Sequence, residues 1–242
     1  MKVNYLEIAS FRLKKILFLG LIITLGLVSC NGNESSERNY TFYFNNIGTE
    51  NWKSLFSDYP AGREDFYELI FEHAPLPEPL DTNLMSLKIS GNNHSDDLLS
   101  VIYRKFDDLQ PNKKYLVTFD IDFASKAIKN GFGVGGSPDL SIGAGGISFA
   151  PNNTIDNSNY YRPNFESRLQ SGLSNEVFKV LGKIGGSDSY PPSFTLLNRN
   201  NLEAPIEIET NSEGEAWLMI ATDSGFEGVT TLYYKSIKIS FK

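Results

Sequence analysis

The amino-acid sequence predicts an all-β domain, a sandwich or barrel of about ten strands. Three observations carry that expectation. Apolar and polar residues alternate with a period of two along several stretches, helical periodicity is hard to find after residue 39, and Pro, Gly and Asn clusters separate the apolar runs.

Taken in order, the first thirty residues stand outside that domain. Lys2, Arg12, Lys14 and Lys15 make a basic start, and Ile16 to Val28 is an uninterrupted apolar run. The run is shorter than the ~20 residues of a spanning helix, and basic residues before a short apolar run that ends at small residues are the pattern of a secretory signal. Asn31 to Arg38 is small and polar, with nothing to nucleate structure, and reads as a tether. The expected organisation is therefore a signal over 1–29, a tether over 30–39 and one β domain over 40–242.

Within that domain, Tyr40 to Asn46 is aromatic and β-prone. Met85, Leu87 and Ile89 alternate with Ser86, Lys88 and Ser90, and Asp96 to Phe106 tips to strand through Val101, Ile102 and Tyr103. The clearest strand has Tyr115, Val117, Phe119, Ile121 and Phe123 on one face, with Leu116, Thr118, Asp120 and Asp122 on the other. Residues 176–184 and 204–210 read as further strands. Residues 215–223 are apolar on both faces, which places that strand centrally and Trp217 in the core. The last strand turns Ile237, Ile239 and Phe241 inward. His73 to Asp81 has three prolines and cannot be a central strand, while residues 107–114, 130–139 and 187–193 are turns and loops.

Charge and cysteine narrow the function. The chain has 22 basic and 29 acidic residues; without the four basic residues and Glu7 of the signal, 18 and 28 are left, a formal charge of −10. Such a surface argues against nucleic acid or anionic lipid as the main partner. Cys30 is the only cysteine, so the domain has no internal disulfide and no catalytic cysteine. No HExxH, G-x-S-x-G, Walker A or CxxC motif is present. Gly131 to Gly136 matches G-x-G-x-x-G formally, but Pro138 and strand-like sequence follow instead of a helix, so it reads as a loop.

Three sets of residues are candidates for chemistry. Asn92, Asp96 and Asp97 offer oxygen ligands to a cation, with a structural calcium as the cofactor in view; the plainer reading is a hydrogen-bonded turn. Aromatic residues make up 13% of the chain, and Trp52, Tyr59, Tyr160, Tyr161 and Tyr190 lie in loop-like stretches where they could stack on sugar rings. Asp120 with Asp122, and Glu207 with Glu209, are same-face carboxylate pairs of the kind glycoside hydrolases use, and equally of the kind a solvated strand face carries. No residue is assigned a catalytic role.

Two resemblances sharpen this reading. Leu27-Val28-Ser29-Cys30 resembles the bacterial lipoprotein signal, which implies lipid on Cys30 and attachment to a membrane. Asn31 follows rather than the Asp associated with inner-membrane retention, which implies the outer membrane. Residues 106–125 resemble a strand–turn–strand of galactose-binding-like jelly rolls and carbohydrate-binding modules, and residues 221–241 resemble their closing hairpin. Those two segments cover about forty residues. The chain as a whole looks like a group of uncharacterised bacterial lipoproteins. The resemblance implies a jelly-roll-type β-sandwich that binds an extracellular glycan or similar polar ligand without catalysis. The alternatives are a structural subunit that binds another envelope protein and a polysaccharide hydrolase or lyase. Many such modules carry an Asp on the last strand that helps hold a structural calcium; here Lys235 stands in its place, and its ammonium repels a cation.

Overall fold

The computed structural model describes residues 37–45, 48–188 and 190–242. The expected signal, Cys30 and all of the expected tether before residue 37 lie outside the described residues.

Fourteen strands are found among the described residues: β1 Arg38–Tyr43, β2 Lys53–Ser57, β3 Ile70–Pro75, β4 Met85–Asn92, β5 Leu99–Phe106, β6 Lys114–Ser125, β7 Ser141–Ile147, β8 Asn153–Ile155, β9 Tyr161–Pro163, β10 Phe178–Lys183, β11 Thr195–Asn200, β12 Ile206–Glu209, β13 Ala216–Asp223 and β14 Val229–Phe241. They form two antiparallel sheets and a small β8–β9 hairpin. Of the sandwich and the barrel that the alternation left open, the chain adopts the sandwich, with more strands than the ten or so expected. β1 begins at Arg38, opposite Phe241, so Arg38 and Asn39 belong to a strand and not to the tether.

The seven-stranded sheet is organised by its two longest members, β6 and β14, which pair with each other. β14 carries β4 and then β1 on its other edge, and β6 carries β12 and β11. Pairing of β6 with β14 shifts register between Tyr234 and Ser236, which makes Lys235 a bulge residue. Among the described residues β3, which contains His73 and Pro75, pairs only with β4, in keeping with its proline content. The five-stranded sheet runs β10-β7-β13-β5-β2, and β13 is central, as its two apolar faces predict.

The main core lies between the sheets. Phe119, Ile121, Phe123, Ile237, Ile239 and Phe241 meet Ile102, Ile142, Leu218 and Ile220. At one end Tyr40, Phe106 and Phe241 make a ring cluster, with Tyr40 and Phe106 centroids 4.9 Å apart.

The five-stranded sheet also has a second core on its outer face. Leu99, Val101, Met219, Ala221 and Phe178 are buried there beneath Leu169, with Phe165 and Val177 packed alongside. Residues 148–177 thus form a cover over this face. It is fastened to the β2 edge: the Asn153 amide donates to the Phe56 carbonyl at 2.7 Å, and Tyr161 N–H donates to the Tyr59 carbonyl at 3.0 Å. The cover approaches so closely that β7 is rich in glycine. A Cβ on Gly145 would fall far inside contact distance of the Val177 carbonyl oxygen, and one on Gly143 would strike Leu169. Gly145→Ala is accordingly expected to cost about 1–3 kcal/mol, the usual range for overpacking. A urea titration should show a lower midpoint with an unchanged slope.

Candidate functional site

The alternation of β13 divides its side chains between two environments. Ala216, Leu218 and Ile220 enter the main core, whereas Trp217, Met219, Ala221 and Asp223 point to the outer face. Register extends that face across the sheet. Lys53, Tyr103, Met219, Gly145 and Phe178 form one row, and Lys105, Trp217 and Ile147 form the next.

Cover residues Phe165 and Leu169 protect the middle of this face and leave both ends open. At the β13 start is a cleft of about 380 Å³ lined by Asn51, Lys53, Tyr103, Arg104, Lys105, Asp107 and Trp217. Trp217 and Tyr103 are partly exposed, and each is anchored on one side by the second core. Lys105 Nζ lies 5.6 Å from the Trp217 ring and pairs with Glu215 at 2.5 Å and Asp107 at 3.7 Å. Arg104 points to the other face of β5. Its guanidinium stacks 4.6 Å from the Phe42 ring, and Nε and Nη1 are buried with no hydrogen-bond partner among the described residues. Burial lowers the Arg104 pKa, against the opposing charges of Glu50 and Asp107. The cleft therefore offers two aromatic surfaces rimmed by ammonium, carboxylate and amide groups.

Trp217 corrects the expectation that it is a core residue: its odd position on β13 takes it to the outer face, past the edge of the cover. The loop aromatics are corrected in the opposite sense. Trp52 is 1% exposed and packs edge-on to Phe42 in the main core. Tyr59 is 5% exposed and joins Tyr67 and Leu98 in a third small core, where Tyr161 packs 5.1 Å from it. Tyr160 lies beneath the Arg162 guanidinium at 5.1 Å. Only Tyr190, 91% exposed, is open on a loop as expected. Phe132 and Val134 of the glycine loop are also exposed.

The Asn92–Asp97 segment does not gather its oxygens around one point. Asn92 Nδ2 donates to Glu68 at 3.0 Å, and Asp96 is exposed. Asn93 is 2% exposed; its Nδ2 donates to the Ser224 carbonyl and its Oδ1 accepts from Ser95 N–H at 3.1 Å. His94 stacks on Phe66, with ring centroids 4.1 Å apart. This is a hydrogen-bonded turn, and among the described residues no three His, Cys, Asp or Glu side chains cluster as a metal site. The set Asn92, Asp96 and Asp97 is corrected accordingly: each of the three has a different neighbour.

The Asp97 carboxyl comes within hydrogen-bond reach of Asp223. Asp58 is near both but is bound by Arg162 Nη1 at 2.7 Å, and the same guanidinium binds Asp156 at 2.8 Å. Burial, reinforced by the charge on Asp223, pushes the Asp97 carboxyl up to about 8.

The paired carboxylates are held on strand surfaces. Asn198 Nδ2 donates to both Asp120 and Asp122, Lys238 pairs with Asp120 at 3.0 Å, and Ser236 donates to Asp122. Glu207 pairs with Lys114 at 2.7 Å and borders a depression with Glu209, Glu176 and Lys179.

No family model and no curated protein matches the chain. Among solved structures it is similar to the family 11 carbohydrate-binding module of a cellulosomal cellulase of Clostridium thermocellum, with 10% identity, coverage of 84% of this chain and 94% of that one, and a TM-score of 0.40. It is also similar to the K3 cleaved adhesin domain of the Lys-gingipain of Porphyromonas gingivalis, with 10% identity, 84% and 98% coverage and a TM-score of 0.39. A third is a putative sugar binding protein of Bacteroides thetaiotaomicron, at 10% identity, 77% and 86% coverage and a TM-score of 0.38. Likenesses this distant assign this chain neither a family nor a ligand.

Asp97 gives a pH test of the geometry. The folded chain keeps a proton on Asp97 where the unfolded chain, at the ordinary value of 3.8, has lost it. Stability in buffer free of divalent cations should therefore fall as pH rises from about 4 to about 8. Asp97→Asn should flatten that slope and melt above the wild type at pH 8.

Proposed function

We propose that this protein is a lipid-anchored cell-envelope protein whose jelly-roll-type sandwich binds an extracellular glycan, without catalysis, in the cleft of Trp217 and Tyr103. The observation that carries this reading is the presentation of those two rings on a rigid sheet face, beside Asn51, Lys53, Lys105 and Asp107. A sugar has an apolar C–H face and a rim of hydroxyls; the rings match the first, and the amide and charged groups match the second. Because the rings stand on strands and are wedged against the second core, little order has to be created on binding.

The expected result on a glycan array is saturable binding to at least one glycan. Trp217→Ala should weaken it by tenfold or more, about 1.4 kcal/mol, while the melting curve stays two-state. Retained affinity in Trp217→Ala would sink the assignment of the cleft.

A second reading is favoured by Phe132, Val134 and Tyr190, three large exposed side chains on loops. In that reading the protein is an assembly subunit that docks another envelope protein through those loops, and it would co-purify with that partner and ignore every glycan.

The anchor rests on the basic start, the apolar run and Leu27 to Cys30. Expressed in a Gram-negative host, Cys30→Ala should accumulate unprocessed and carry no incorporated palmitate, whereas the wild type is labelled and sediments with outer membranes.

A further inference from the structure

The sandwich holds a cavity at the end away from Arg38 and Phe241. β1 pairs with the last residues of β14, whereas the cavity lies where β6 ends at Ser125 and β14 begins at Val229. Its volume is about 250 Å³, and its walls are apolar. Ile184 is buried in the main core, and Phe226, on the turn between β13 and β14, packs against that core. The floor of the cavity is therefore continuous with the interior. Pro138 and Pro192 line it from two loops.

The glycine run at 131–136 has a structural role here. A Cβ on Gly133 would fall well inside contact distance of the Phe226 ring, so the loop can lie on that ring only because the residue is glycine. The same loop sets Phe132 fully exposed at the cavity, and Val229 beside it is 49% exposed. Large apolar side chains exposed around an apolar cavity are surface that an occupant covers.

One charged side chain lines the cavity, that of Lys126. Its ammonium stands 5.4 Å from the Phe194 ring and makes no ion pair among the described residues. The other polar side chains in the lining are hydroxyls, and two of them are committed. Ser125 Oγ accepts from Ala127 N–H at 3.1 Å, and Thr231 Oγ1 shares a hydrogen bond with Ser90 at 2.7 Å.

We propose that this cavity binds a small amphipathic carboxylate, with its apolar body in the chamber and its head group on Lys126. Size sets the body: an apolar cavity of about 150 Å³ takes one benzene ring, so this one has room for a ring and a short chain. Charge sets the head, because the single charged group in the lining is a cation without a carboxylate partner. A sugar fits poorly, since its hydroxyls would face isoleucine, proline and phenylalanine. The site is separate from the Trp217 cleft and does not depend on what that cleft binds.

The test is calorimetric titration of the full chain at pH 7.5 with phenylpropionate, and with phenylpropanol as its neutral counterpart. The expected result is one carboxylate per chain with a Kd of about 10 µM to 1 mM. The alcohol should bind about fivefold more weakly. Lys126→Gln should weaken the acid by that factor and leave the alcohol unchanged; Lys126 is exposed, so the fold stays intact. Ala127→Leu fills the cavity and should abolish binding of both. Should that variant not fold, Phe132→Ala at the exposed mouth serves instead and should weaken both. Trp217→Ala should change neither. Absence of saturable binding at 20 mM phenylpropionate overturns the proposal. So does acid binding that Lys126→Gln leaves unchanged, and so does binding that Trp217→Ala removes.

Discussion

A sheet that is apolar on both faces cannot stand with one of them in water, and the five-stranded sheet is such a sheet. Its inner face is buried against β6 and β14. Met219, Ala221, Val101 and Phe178 on the outer face demand a second cover, supplied by residues 148–177 through Phe165 and Leu169. Hydrophobic burial drives that docking, and the glycines of β7 allow it to be close. The candidate cleft lies at a margin of this face, beside the second core that the cover protects. Trp217 and Tyr103 are left at one margin, Asp97, Asp223 and Ser141 at the other.

The two margins differ in chemistry because the row of residues differs. At the Trp217 end, large rings are partly anchored in the second core and the surrounding charges are on long, exposed stems. Such a surface suits a neutral ligand with an apolar face and hydroxyl groups. At the Asp223 end, short acidic and hydroxyl side chains are buried, and nearby Arg162 has its hydrogen bonds committed to two other carboxylates. Such a place favours a proton held on Asp97 over an extended ligand.

Much of the fold was legible from alternation. β4, β6, β12 and β14 show the period of two, and β13 shows the continuous apolar run of a central strand. β2 and β11 were missed because Lys53–Ser57 and Thr195–Asn200 are short and carry mixed polarity. The cover was not legible, since nothing in the sequence says that residues 148–177 fold onto a sheet instead of running as a surface loop. Trp217 was read as core because its strand is apolar throughout, and only the end of the cover exposes it. Trp52 and Tyr59 were read as loop aromatics because their neighbours are polar, whereas the chain turns both rings into apolar clusters. The contact of Asp97 is not legible, because its neighbour Asp223 lies 126 residues further along the chain and is brought to it by β5–β13 pairing and the Leu98–Ser224 backbone bonds.

Function turns on which surface receives a ligand. The chain has two indole groups, Trp52 in the core and Trp217 at the cleft. Two-dimensional nitrogen–proton NMR of the protein during titration with a panel of soluble glycans reads both at once. The predicted result is a saturable shift of the Trp217 indole signal for at least one glycan while the Trp52 signal stays fixed. A stationary Trp217 signal across the panel, or shifts confined to the loops of Phe132 and Tyr190, would contradict it.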